Sequence, residues 1–230
     1  ISEQLIAAMV RQGRSEAQAR SRFYMVDRQG LLLSEMHELP LFQQRLAQPR
    51  ACLTAWKLAD PGTVTLADVI ANARPTVLIG FSGRAGLFTE PIVREMARHT
   101  PRPIILPLSN PTSHSEAAPA DLLAWTGGRA IIATGSAFPD IHFRGETIPI
   151  AQCNNSYVFP AIGLGVLAAR ARRVTDAMLM AAAEALAEAS PALRDPKAPL
   201  LPPLQDIHDL TLHIARAVAQ ADHPDARATV

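Results

Sequence analysis

Two adjacent amides, Asn154 and Asn155, stand in Ala151-Gln-Cys-Asn-Asn-Ser-Tyr-Val-Phe-Pro160, between a strand-like stretch and an apolar run with helical character. An amide side chain donates and accepts at once, so a pair can hold a carboxylate or a carboxamide without adding charge. A third amide, Asn110, follows the apolar run Pro103 to Leu108 in Ser109-Asn-Pro-Thr-Ser113. At the carboxyl end of a buried strand it occupies the edge where open α/β sheets bind ligands. Asp27 ends the strand-forming run that starts at Phe23, where a carboxylate can accept hydrogen bonds from a ribose 2′-hydroxyl. Gly80-Phe-Ser-Gly-Arg-Ala-Gly86 leads into a helix, so its backbone can approach a ligand closely, but it has no Gly-Lys-Ser or Gly-Lys-Thr and is not a P-loop. Plainer readings exist for each. Asp27 can be a turn former before Arg28-Gln-Gly30, the glycine loop a strand-to-helix turn, Asn110 a turn amide before Pro111, and the Asn154–Asn155 pair an Asx-turn capping the next helix.

The elements that must position these residues alternate. Ser2 to Gln12 is amphipathic, with Leu5, Ile6, Met9 and Val10 on one face and Gly13 placed to stop it, and Ser15 opens a second helical stretch. Residues 34–61 are irregular and read as a long surface loop. Then come helix Thr65 to Ala73, strand Thr76 to Gly80, helix Phe88 to His99, strand Pro103 to Leu108, helix Ala120 to Thr126 and strand Ala130 to Thr134. This rhythm predicts a parallel sheet of βαβ units, an α/β, doubly wound, Rossmann-like fold whose shared edge brings Asp27, the Gly80–Gly86 loop, Asn110 and Ser136 together. From Phe159 onward only helices are expected, Phe159 to Arg170, Thr175 to Ser190 and Asp206 to Ala221, with a proline-rich link from Pro191 to Pro203. The reading is therefore a nucleotide-binding domain over 1–158 and a C-terminal helical extension over 159–230.

Composition excludes several classes. The chain is 48% hydrophobic and 19% charged over 230 residues, enough to bury a sizeable core. Its 22 Lys and Arg against 21 Asp and Glu are scattered, which argues against a nucleic-acid partner. Cys52 and Cys153 alone support neither a disulfide framework nor a cysteine metal site, so a reducing, cytoplasmic setting is expected. No apolar run reaches the roughly 18 residues of a membrane span, and Ile-Ser-Glu-Gln-Leu does not resemble a signal peptide. His114, His142, His208 and His213 show no metal-ligand spacing and read as surface residues, as do Asp206 and Asp209 at a helix start. Ser82 and Ser136 lie in glycine-flanked loops that lack the Gly-x-Ser-x-Gly elbow of hydrolases.

Taken in order, Phe23-Tyr-Met-Val-Asp-Arg-Gln-Gly-Leu-Leu32, Leu78-Ile-Gly-Phe-Ser-Gly-Arg-Ala-Gly-Leu-Phe-Thr-Glu90, Arg102-Pro-Ile-Ile-Leu-Pro-Leu-Ser-Asn-Pro-Thr-Ser113, Ala133-Thr-Gly-Ser-Ala-Phe138 and Gln152-Cys-Asn-Asn-Ser-Tyr-Val-Phe-Pro160 resemble the C-terminal, nucleotide-binding domain of malic enzymes. The cysteine before the amide pair and Leu39-Pro-Leu-Phe42 look most like the bacterial NAD-linked branch. The resemblance implies oxidation of L-malate by hydride transfer to NAD, then decarboxylation to pyruvate assisted by Mg or Mn. It also implies a homodimer or homotetramer. Carried over by motif, it assigns Asn110, Asn154 and Asn155 to malate or the nicotinamide half, Asp27 to the adenine ribose, and Gly80, Phe81 and Ser82 to the cofactor.

The chain also departs from the family pattern. The Gly-x-Gly-x-x-Gly turn and its strand, which precede the helix that here opens at Ile1, are absent, as are the family's catalytic Tyr and Lys and its metal-binding acids. The expectation is an N-terminally truncated fragment with no catalytic residue and no metal ligand of its own. Ala137 and Ala161 stand where the family usually has Pro and Gly. Asp27 favours NAD, since it repels a 2′-phosphate, while Arg28 leaves NADP as the less favoured choice. Another Rossmann-type dehydrogenase acting on a hydroxy or amino acid and a non-enzymatic nucleotide-sensing module are the alternatives.

Overall fold

A computed structural model describes residues 1–60, 62–195 and 198–222. The chain divides into two compact units, one built from Ile1–Leu78, Gly86–Ile104 and Asp121–Ala130, the other from Ile79–Ala85, Ile105–Ala120 and the described residues from Ile131 onward.

In the first unit, α1 (Ser2–Arg11) buries Ile6 against Ala19 and Leu46, and α2 (Glu16–Arg20) starts at a capping box in which Ser15 and Gln18 satisfy each other's backbone amides. Strand β1 (Val26–Asp27) pairs antiparallel with β2 (Gly30–Leu31) in a ribbon of its own. This corrects the sequence expectation that Asp27 ends a strand of the parallel sheet. The reversal follows from Gly30, whose φ of 91° lets the chain fold back onto Asp27, and from Leu31 N–H, which donates to Val64 O at 2.8 Å.

A second correction concerns residues 34–60, expected to be a surface loop. They contain α3 (Leu41–Gln44), a 3₁₀ turn at Arg50–Leu53 and a bridge between Leu33 and Gln48. Leu39, Leu46 and Leu53 are buried, and the buried Gln48 amide donates to Arg20 O and Phe23 O. Side-chain hydrogen bonds hold this segment where sequence periodicity shows nothing. The expected loop ends at Pro61, which lies outside the described residues. The unit continues with α4 (Leu66–Ala73), capped by Thr65 and Asp68, and α5 (Glu90–His99), with Val93 and Met96 fully buried.

Among the described residues the sheet has the order β3 (Val77–Gly80), β4 (Ile104–Pro107) and β5 (Ile131–Thr134), ending on a strand that follows a hairpin. That hairpin, β6 (Ile141–Phe143) and β7 (Glu146–Ile148), was not expected from the sequence. The last strand, β8 (Ala151–Gln152), runs parallel to β5. Helix α6 (Pro119–Thr126) connects β4 to β5, so strand, helix and strand alternate as a Rossmann-like sheet requires.

After β8 the second unit is helical, as expected. Helices α7 (Phe159–Ala169), α8 (Asp176–Glu188) and α9 (Ile207–Asp222) pack on one another around Ala161, Met178, Ala182, Ile214 and Val218. The proline-rich link is tied down by Tyr157, whose hydroxyl donates to Pro202 O at 2.6 Å, and by Ser190, whose hydroxyl donates to Leu200 O at 2.6 Å. Pro196 falls outside the described residues. Among those described, no helix is long and apolar enough to cross a membrane.

Candidate functional site

The loops that leave the carboxyl ends of β3, β4, β5 and β8 are joined by hydrogen bonds. Leu108 N donates to Gly80 O, Gly135 N to Pro107 O and Cys153 N to Thr134 O, which extends the sheet one step past each strand. Gly135 is required there. A Cβ at that position would lie 2.2 Å from Leu108 O, a backbone atom that cannot move aside.

Beyond this step the side chains take over. Ser136 Oγ donates to Asn110 Oδ1 at 2.5 Å, and Gln152 Nε2 donates to Gly135 O at 3.1 Å. Asn154 Oδ1 accepts from Ser156 N at 2.9 Å, the Asx-turn that heads the 3₁₀ turn Asn155–Tyr157. The plainer reading of Asn154 is therefore realised, and it does not exhaust the residue. With Oδ1 of both Asn110 and Asn154 engaged, each amide is oriented to offer Nδ2 as a donor. Asn110, Asn154 and Asn155 are all exposed. Donor amides at this edge suit a ligand carboxylate or carbonyl oxygen.

The Gly80–Gly86 loop is built differently from a phosphate nest. The amides of Ser82, Gly83 and Arg84 donate inward, to Glu116 Oε1 at 2.8 Å, Ser109 Oγ at 2.8 Å and Ser82 Oγ at 3.0 Å. What the loop turns outward is Phe81, 61% exposed, together with the exposed backbone around Ser82 and Gly83. Such a surface can carry a flat or sugar-like group and leaves no row of amides for an anion.

Glu116, the anchor of that loop, escaped sequence reasoning. It is 0% exposed and accepts from Ser82 N, Ser82 Oγ and Ser109 Oγ. Burial pushes its carboxyl up, and the bonds from Ser109 and Ser82 outweigh burial and hold it below the ordinary carboxylate range. One available signal was an acid set in the small-residue run Ser115-Glu-Ala-Ala118 just before a helix.

Asp27 lies in the first unit. Its two carboxylate oxygens accept from Arg28 N at 2.7 Å and from Gln43 Nε2 at 2.8 Å, and these bonds lower its pKa. The side chain is exposed, and these two bonds orient it. Gln43, which does the aiming, was not singled out from the sequence. Among the described residues no group of three or more His, Cys, Asp or Glu is arranged to hold a metal ion. Cys153, beside the amide pair, is half-buried, and burial raises its thiol pKa.

Known proteins resemble this arrangement. The profile of the family described as malic enzyme, NAD binding domain, matches residues 1–222. The chain is 55% identical over 220 residues to the NAD-dependent malic enzyme of Shewanella woodyi, covering 96% of this chain and 39% of that protein. It is 53% identical over 228 residues to the NAD-dependent malic enzyme of Pseudomonas aeruginosa, covering 99% of this chain and 40% of the relative. Among solved structures, Entamoeba histolytica malic enzyme superposes with a TM-score of 0.64 at 25% identity, over 86% of this chain and 37% of that one. The chain thus spans about two fifths of the length of the relatives it matches.

Proposed function

This chain belongs to the malic enzyme NAD-binding domain family, and we propose that it binds NAD as part of an enzyme that converts L-malate to pyruvate and CO2. In this reading Gly80, Phe81 and Ser82 line the cofactor, Asn110 and Asn154 donate to oxygens of the nicotinamide carboxamide or of malate, and Asn155 completes the substrate end. Asp27 accepts from the adenine ribose hydroxyls and, being anionic, repels a 2′-phosphate. Residues 1–158 are read as the nucleotide-binding domain and 159–230 as its helical extension.

The observation that carries the reading is the paired orientation of Asn110 and Asn154, whose oxygens are held by Ser136 Oγ and Ser156 N so that both present donors at the carboxyl edge of the sheet. Bound NAD supplies the acceptor for a hydride. The residues of this chain bind, orient and select. We assign proton transfer and Mg or Mn ligation to none of them, and place both in the part of the relatives' length that this chain does not span. We further propose that the parent protein is a cytoplasmic homo-oligomer.

The test is a fluorescence titration of the parent protein with NADH and NADPH, alongside Asn110→Ala. NADH should bind more tightly than NADPH, and Asn110→Ala should weaken NADH by about ten-fold, the loss of one to two hydrogen bonds. Tighter binding of NADPH, or no binding of either, would refute the assignment. Malate-dependent NADH formation with Mn²⁺ by the parent protein checks the reaction itself, and turnover of another hydroxy or amino acid in place of malate would move the assignment to a different dehydrogenase.

A further inference from the structure

Glu116 is 0% exposed and is held by two hydroxyls and two backbone amides. Oε1 accepts from Ser82 N and Ser82 Oγ, each at 2.8 Å, and from Ser109 Oγ at 2.5 Å, while Ser109 N approaches Oε2 at 3.4 Å. An ionised carboxylate only accepts, so both hydroxyl protons must point at it. The hydroxyl lone pairs then face the other way, and each accepts from the loop: Ser109 Oγ from Gly83 N at 2.8 Å, Ser82 Oγ from Arg84 N at 3.0 Å. The charge on one side chain therefore fixes the direction of a two-step hydrogen-bond relay that ends on the backbone of residues 82–84.

Gly80 fits the same arrangement. A Cβ there would lie 2.4 Å from Glu116 Cδ and 2.7 Å from Oε2, and a carboxylate pinned by so many bonds cannot swing aside as a free side chain would. Ser109 precedes Asn110, so Glu116 grips both the β3 loop and the residue that leads into the amide. Neither the family assignment nor the proposed cofactor contacts call for this residue.

We propose that Glu116 is a positioning residue for the nicotinamide-nucleotide site: its buried carboxylate holds the Gly80–Arg84 loop and the start of the Ser109–Asn110 turn in their binding shape. The proposal rests on the reading that this loop lines the cofactor. It places Glu116 behind the binding surface, acting through Ser82 and Ser109 without touching the ligand.

The test uses the parent protein and its Glu116→Gln variant, which keeps the shape of the side chain but puts an amide N–H2 where an acceptor stood. Two readouts are taken on each sample. The first is tryptic cleavage after Arg84, inside the loop, with cleavage after the exposed Arg14 as the internal control. The second is the NADH dissociation constant. Glu116→Gln should raise the Arg84 cleavage rate and the NADH dissociation constant by about ten-fold each, the scale of one charge-assisted hydrogen bond, with Arg14 cleavage unchanged. Ser82→Ala, a milder change, should release the Arg84 bond in the same direction and to a smaller extent.

Wild-type rates at Arg84 in Glu116→Gln, or equal acceleration at Arg84 and Arg14, would overturn the positioning role. So would unchanged NADH affinity in a variant whose parent binds NADH. If the wild-type parent protein binds no NADH, the assigned function fails, and the Arg84 readout still decides whether Glu116 holds the loop.

Discussion

A buried carboxylate that stays ionised makes stability depend on pH in a definite direction. Burial works against the charge of Glu116, and the bonds from Ser109 and Ser82 overcome it, so its folded pKa lies below the ordinary value of 4.5. A group depressed in the folded state stabilises above its unfolded pKa, and the contribution is lost as pH falls through the folded value. Glu116 should therefore add nothing to the pH dependence between pH 7 and about pH 5.5, and should remove stability below about pH 4.5. Asp27 and Asp68 shift in the same direction, so the wild type keeps some acid sensitivity whatever Glu116 does. Urea unfolding at a series of pH values should show Glu116→Gln less stable at pH 7 but with a shallower loss into acid. A slope equal to that of the wild type would mean that folding leaves the Glu116 pKa unshifted, and a steeper one that the carboxyl is protonated in the folded chain. Asp27 carries the opposite emphasis: it is exposed, so its charge matters to a ligand more than to the fold.

At the scale of elements, two glycines of α7 make a controlled comparison. A Cβ on Gly165 would lie 2.7 Å from Ala215 O and 2.7 Å from Val218 Cβ and Cγ1, so this residue sets how closely α7 and α9 approach. Gly163, two residues away in the same helix, has nothing within 4 Å of such a Cβ. Alanine at Gly163 should stabilise by about 0.5–1 kcal/mol through helix propensity. Alanine at Gly165 gains the same propensity but must push two helices apart, and should destabilise by about 1–3 kcal/mol. Denaturant midpoints of the two variants check this, and equal midpoints would remove the close-packing argument. Ala161 shows the other side of the rule, because it is fully buried in the same helical cluster and fits there with its methyl. These helices were legible because their apolar spacing and caps, such as Thr175 accepting from Met178 N, are local signals. Strands β3, β4 and β5 were legible as short apolar runs between turn residues. The packing of residues 34–60 was not, because it depends on Gln48 bonding to Arg20 O and Phe23 O, partners far away in sequence. Glu116 was missed for the same reason: its partner Ser82 lies 34 positions upstream.

For the whole molecule, the amides of the candidate site could be read from sequence because they sit at strand ends, a position that topology alone assigns. Their donor orientation could not, since it is set by Ser136 and Ser156 acting on oxygens that sequence leaves equivalent to nitrogens. This orientation ties ligand to fold, because a group that binds only the assembled edge must stabilise it. At a free concentration 100 times its dissociation constant, a ligand specific for the folded state adds about 2.7 kcal/mol. For a chain of this size each kcal/mol moves the thermal midpoint by about 2–4 °C, so saturating NADH should raise it by roughly 5–10 °C. NADPH at the same concentration should raise it less, because weaker binding leaves a smaller ratio of ligand to dissociation constant. L-malate alone should produce the smallest shift if its amide contacts depend on the nicotinamide being in place. Differential scanning fluorimetry over a concentration series separates these cases: a midpoint that climbs with the logarithm of NADH concentration marks binding to the folded chain, and a flat midpoint shows that the edge built around Asn110 and Asn154 does not hold the nucleotide.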